Sequence, residues 1–198
     1  MEIDEKEMIN SVMKSITDFI GEMKEENNRA VVIVGAANID ALLRNLVESS
    51  LLPPMNKKQD ELLNGDSPLS SFSSKINLCY RLALIDKELC DTLHILRKMR
   101  NAFAHQMKDC DLNIPPHSDR VNELVKHLKD EPLLEKLRHF FVGDKSNSRD
   151  FRIILSLISA LLEMKIQHLP KTVMANPVSI SWIPKDVDLL EIIGLTRL

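Results

Sequence analysis

The chain is short of the residues that β-rich folds and base-stacking surfaces rely on. Only 4% of its 198 residues are aromatic, Trp182 and Tyr80 are the sole members of their types, and glycine occurs five times. Sandwiches and barrels draw on aromatic and β-branched residues and on glycine turns, so this composition leans towards helix. Cysteine is scarce too. Cys79, Cys90 and Cys110 form no CxxC pair, which reads as three free thiols in a reducing compartment. The histidines at 94, 105, 117, 127, 139 and 168 show neither HxH nor HExxH spacing, so no metal and no cofactor is expected. Positive charge is not in excess either. A net charge of −3 argues against avid coating of nucleic acid, whose affinity comes from neutralising phosphates, but leaves room for a local basic patch. "MEIDEKEMIN" does not open like a secretory leader, and the apolar run "IILSLISALLEM" is too short to span a bilayer. The expectation is a cytoplasmic protein without membrane contact.

What the chain does have is helical periodicity. Over about 4–26, Val12, Ile16, Phe19, Ile20 and Met23 fall on one face, and Asn27 or Asn28 can cap the next helix. The segment 29–51 is apolar around most of its circumference in its first half, as a central helix would be. Gly35, Ala36 and Ala37 would admit a close neighbour, and Asp40, Arg44 and Glu48, four apart, read as a solvated ion-pair ladder. "LLPPMNKK" breaks the pattern, and a short helix at about 57–64 stops at Gly65. "GDSPL" then restarts a helix with Ser67 as its cap and Pro68 at its first position. Asp86 caps a helix over 87–105 whose stripe is Leu89, Leu93, Leu96, Met99 and Phe103. Two shorter helices follow at 118–129 and 132–142, the second burying Phe140 or Phe141, and a long apolar one at 148–168. Beyond Pro170, the prolines at 177 and 184 and the strand-like "VSISWI" suggest an extended arm that wraps its own body or a partner subunit. The expected architecture is all-α: a single multi-helical bundle over 1–169 with an extended C-terminal arm over 170–198.

The chemically loaded stretch is "RKMRNAFAH", residues 97–105. If the helix ends near Ala104 and the chain turns, Arg100 and His105 converge. A guanidinium that stabilises charge on phosphorus and an imidazole that moves a proton are enough for metal-independent RNA cleavage, with Asn101 orienting either one. On a straight helix the two lie about 140° apart. The structural account is that cations in a last turn answer the helix dipole, and the spacing by itself leans that way. "SSFSSK" (70–75) places Ser71, Ser74 and Lys75 beside a helix start. With Arg97 and Lys98 these are candidate anion or partner contacts, against a plainer account of capping and solvation.

Two resemblances meet here. Arg100-Asn101-x-x-Ala104-His105 resembles the RNxxxH signature of the HEPN superfamily, all-α proteins that include metal-independent ribonucleases of toxin and phage-defence systems. That resemblance implies an RNA substrate and catalytic roles for Arg100, Asn101 and His105. Residues 62–105 resemble the central block of the mannitol operon repressor family, in which an LLxGDxPL opening leads into helix, turn, helix and a terminal Arg…His. Leu62, Leu63, Gly65, Asp66, Pro68, Leu69, Lys75, Leu78, Tyr80, Leu84 and Ile85 carry the match, and it extends over about 10–170. It implies an all-helical, dimeric regulator of sugar-alcohol uptake genes, described as a repressor although it lacks an ordinary helix-turn-helix reader. Thr92, His94, Arg97, Lys98 and Asn101 would be the base-reading face, yet their helix reads as core. Action through a regulatory protein partner therefore weighs at least as much as direct DNA binding. The expectation is a non-catalytic, homodimeric regulator of the mannitol-repressor type. The alternative is a HEPN-like endoribonuclease.

Overall fold

The computed structural model describes residues 5–54, 62–105, 110–128, 132–140 and 146–169. These form seven helices: α1 (Glu5–Met23), α2 (Asn28–Ser50), α3 (Phe72–Arg81), α4 (Lys87–His105), α5 (His117–His127), α6 (Pro132–Phe140) and α7 (Asn147–His168). There is no strand among the described residues, and the all-α bundle expected from the sequence is what is found. The stretch 170–198, Phe141 and the side chain of Phe140 lie outside the described residues.

Two helices form the centre. Every residue of α7 from Phe151 to Ala160 is buried, and the helix packs against α1, α2, α5 and α6. α2 in turn packs on α3, α4 and α7. By length and composition α2 is apolar enough to cross a membrane, but most of its apolar residues, among them Val31, Val32, Ile39, Leu43, Leu46 and Val47, are the inner wall of the bundle, with Val34 left exposed. The two central helices approach closely at Gly35, where a Cβ would stand 2.5 Å from Leu155 Cδ1. That close approach is the one expected from Gly35, Ala36 and Ala37, and it falls at Gly35.

Several helix starts are closed by side chains, which satisfy backbone N–H groups that lack a helical partner. Asn27 Oδ1 accepts the Ala30 N–H at 2.9 Å, Asp86 Oδ1 the Leu89 N–H at 2.8 Å, and Ser146 Oγ the Arg149 N–H at 3.2 Å. Arg152, 9% exposed, closes the far end of α1. Its guanidinium donates to Met23 O at 3.0 Å, Glu26 O at 2.6 Å and Ser148 O at 3.0 Å. A buried cation is tolerated here because its N–H groups meet oxygen acceptors, among them the carbonyls at and just past the end of α1. At the other side of α7, Arg138 grips Asp150 with both arms of its fork, at 3.1 and 2.5 Å, and so ties α6 to α7. The turn from α3 to α4 is a Schellman closure. Leu84 N–H bonds Cys79 O at 2.9 Å and Ala83 N–H bonds Tyr80 O at 3.0 Å, with Ala83 held at φ +55°.

Three expectations are corrected. The helix does not restart at Ser67-Pro68; it starts at Phe72, capped by Ser71. Residues 62–70 instead fold back on themselves, with Leu69 N–H bonded to Leu62 O at 2.9 Å, Ser67 N–H to Asn64 O and Ser70 N–H to Ser67 O at 3.1 Å. Gly65 takes φ +59° and Leu63 is buried in the core. The buried Leu63 anchors this loop, and the turn bonds satisfy locally the backbone groups that a helix would have paired. Residues 62–64 of the expected 57–64 helix are turn, and 57–61 lie outside the described residues. Nor is the Asp40–Arg44–Glu48 stripe only a solvated ladder. Arg44 Nε does pair with Glu48 Oε1 at 2.8 Å, but Arg44 also donates to Leu63 O at 3.2 Å and Asn64 Oδ1 at 2.7 Å. Asp40 turns to Lys75 on α3. The stripe is the seam that fastens the folded loop and α3 to α2.

Candidate functional site

α4 is continuous from Lys87 to His105, and its two sides differ in chemistry. Leu93, Leu96, Met99 and Phe103 point inward and are at most 1% exposed. At about 100° per residue, His94, Lys98, Asn101 and His105 share the opposite side within about 60°, Arg97 flanks them on one shoulder, and Arg100 lies further round on that shoulder, about 130° from their midpoint. Lys98 and His105 are exposed; His94, Arg97, Arg100 and Asn101 are half-buried.

The cations of this face are not neutralised by any described residue. Among the described residues no carboxylate stands within ion-pair distance of Arg97, Lys98 or Arg100. Arg97 Nε is buried without a hydrogen-bond partner there, and Arg100 Nη1 donates to the neighbouring Asn101 Oδ1 at 3.1 Å. Elsewhere Arg44, Arg138 and Arg149 all meet carboxylates. Burial pushes the His94 imidazole below its ordinary value, and the Arg97 and Lys98 charges add to this against the opposing Asp91. The neutral ring donates from Nε2 to Asn77 Oδ1 on α3 at 3.0 Å. Arg29, from the start of α2, reaches Ala104 O at 3.4 Å and closes the end of α4. Asn77 and Arg29 belong to this face without any signal in the local sequence, because both arrive through tertiary packing.

The other singled-out residues divide. Ser71 Oγ accepts the Ser74 N–H at 3.0 Å, and the two hydroxyls lie 2.8 Å apart, so both serve the start of α3. Lys75 is 5% exposed and its ammonium faces inward, 2.9 Å from Ser70 O and 2.9 Å from Asp40 Oδ1. Of the five candidate contacts, Arg97 and Lys98 are the pair with cationic heads on the outer side of α4. Arg100 and His105 do not meet the condition set for their convergence. The helix runs through His105 without a turn at Ala104, which sets the two side chains about 140° apart. Among the described residues no three His, Cys, Asp or Glu side chains gather as metal ligands would.

No known family profile matches the chain, and no curated protein matches it in sequence. Among solved structures it is similar to a chain of the X-ray structure of the MtlR–HPr complex from Escherichia coli, with a TM-score of 0.54 at 19% identity, over 77% of this chain and 98% of that one. At that identity the likeness is one of fold. It supports an MtlR-like helical architecture and does not bear on the HEPN-like signature.

Proposed function

We propose that this protein is a non-catalytic regulator of the MtlR type that acts by docking a protein partner on the outer side of α4. The observation that carries the reading is that Arg97 and Lys98 on this side, and the half-buried Arg100 beside it, have no carboxylate partner among the described residues. The MtlR-like fold supports it, as does the fact that the similar structure is a complex with HPr. In this reading the protein works in the cytoplasm as a homodimer, and its effect on sugar-alcohol uptake genes passes through the bound protein. Direct DNA reading is the weaker route. Three phosphate contacts give a log–log salt slope of only about −2.7, a loose hold for a repressor, and the inner half of α4 is committed to the core.

Calorimetric titration with HPr, for the wild type and for the Arg97→Glu/Lys98→Glu variant, tests this. The expected result is wild-type binding that weakens about tenfold or more on charge reversal, with unchanged thermal melting. Equal affinities for both proteins would remove α4 as the docking face. A promoter fragment bound at about 0.15 M salt, with HPr inert, would restore direct DNA reading. The ribonuclease reading rests on Arg100, Asn101 and His105 acting together, and their placement along one straight helix argues against it within a single chain. Single-stranded RNA incubated in EDTA should stay intact. Cleavage by the wild type that is lost in His105→Ala would reinstate the enzyme.

A further inference from the structure

A second site lies away from the α4 face and is independent of the reading above. A cavity of about 320 Å3 opens between the start of α4, the end of α5 and α7. Its floor is Leu89, Leu128 and Leu161. From Phe151 to Leu162 every residue of α7 is buried except Leu161, which is 39% exposed. A leucine left open in the most buried helix of the fold marks apolar surface that no described element covers.

The polar wall is more specific. Thr92, 1% exposed, donates its hydroxyl proton to Glu88 O at 2.8 Å. The same oxygen lies 2.9 Å from His127 Nδ1. Thr92 has one proton and has spent it, so His127 must be the donor in that contact. The neutral imidazole is thereby set in its Nδ1–H form, and Nε2 carries a lone pair that accepts no hydrogen bond among the described residues. Asp86 and Glu88 complete the rim. Asp86 uses Oδ1 to cap α4, and Glu88 makes no ion pair among the described residues. Among the described residues no lysine or arginine lines the cavity.

We propose that this pocket binds a primary ammonium carried on an aliphatic stem. The ammonium donates to His127 Nε2 and is balanced by the Asp86 and Glu88 carboxylates, while the stem covers Leu161. An anion would meet two carboxylates. A metal ion would need ligands grouped more tightly than any found among the described residues. The group can come from a free alkyl diamine or from a lysine of a protein partner.

NMR of the full chain, following the His127 ring and Leu161 methyl resonances, distinguishes these. The probes are 1,5-diaminopentane, an N-acetylated lysine peptide flanked by glycines, the same peptide with its lysine acetylated, and hexanoate. Saturable shifts are expected with one or both ammonium probes and none with the other two; the tighter ammonium probe identifies the source. Glu88→Gln, an exposed and conservative change, should weaken binding about fivefold, and His127→Ala at least as much. The proposal is overturned if neither ammonium probe binds, if hexanoate or the acetylated peptide binds equally, or if Glu88→Gln leaves affinity unchanged.

Discussion

Lys75 Nζ stands 2.9 Å from Asp40 Oδ1, and the two partners are unequally sheltered: the lysine side chain is 6% exposed, the aspartate 25%. The cost of breaking the pair should therefore depend on which member is removed. Asp40→Ala strands an ammonium in the core and should cost about 3 kcal/mol. Lys75→Met leaves a carboxylate that can turn to water and should cost about 1 kcal/mol. Asp40→Leu/Lys75→Met should recover most of the loss. Urea denaturation measures all three, and equal losses for the two single variants would contradict the asymmetry.

The contact at Gly35 predicts a coupled effect. A side chain there meets Leu155 Cδ1 inside a packed core, so Gly35→Val should cost about 2–3 kcal/mol by overpacking. Combined with Leu155→Ala, the loss should be smaller than the sum of the two single changes, because each relieves the other's defect. Strict additivity in denaturant midpoints would show that the helices do not touch at this point.

Two histidines predict the response to acid. His117, 2% exposed and tilted against Phe103 at 4.5 Å, is pushed below its ordinary 6.5 first by burial and then by Arg120. His94 is lowered in the same sense. Both bind a proton more weakly folded than unfolded. Their stability contribution is intact above about pH 6.5 and is lost as the pH falls through the unfolded value towards the folded ones. Tm should drop between about pH 7.5 and 5.5, and less steeply in His117→Gln. A flat profile in the wild type would refute the assignment.

The thiols should react unequally. Burial pushes Cys79 up to about 12, with Cys90 adding to the shift, and Cys90 is itself raised by burial. Cys110 is half-buried. A thiol reagent at about pH 8 should modify Cys110 alone in the native protein and all three after unfolding. Rapid native labelling of Cys79 would mean that the α3–α4 hairpin opens readily.

Sequence patterning disclosed most of the frame because the frame follows local rules. The 87–105 span and its Asp86 cap were readable from one leucine stripe and one carboxylate, and the centrality of α2 and α7 from their near-continuous apolar character. The fold-back at 62–70 was not, since Ser67-Pro68 satisfies the local rules for a helix start and only the burial of Leu63 decides against it. Site geometry was less accessible still. Asp40 meets Lys75, His94 meets Asn77 and Thr92 meets His127 across gaps of 17 to 35 residues, and no local pattern encodes such pairings.

The buried run in α7 also bears on how the protein is made. α1 and α2 both lean on α7, and Ser15 finds its partner Glu163 148 residues further on. While the ribosome is still extending the chain, the apolar side of α1 has nothing to settle on, and the side of α2 that meets α7 stays bare although α3 and α4 can already cover the other. The nascent polypeptide must be kept from sticking to its neighbours until the seventh helix emerges. A message truncated ahead of Asn147 would yield a fragment fit for chaperones and proteases, with no native state to reach.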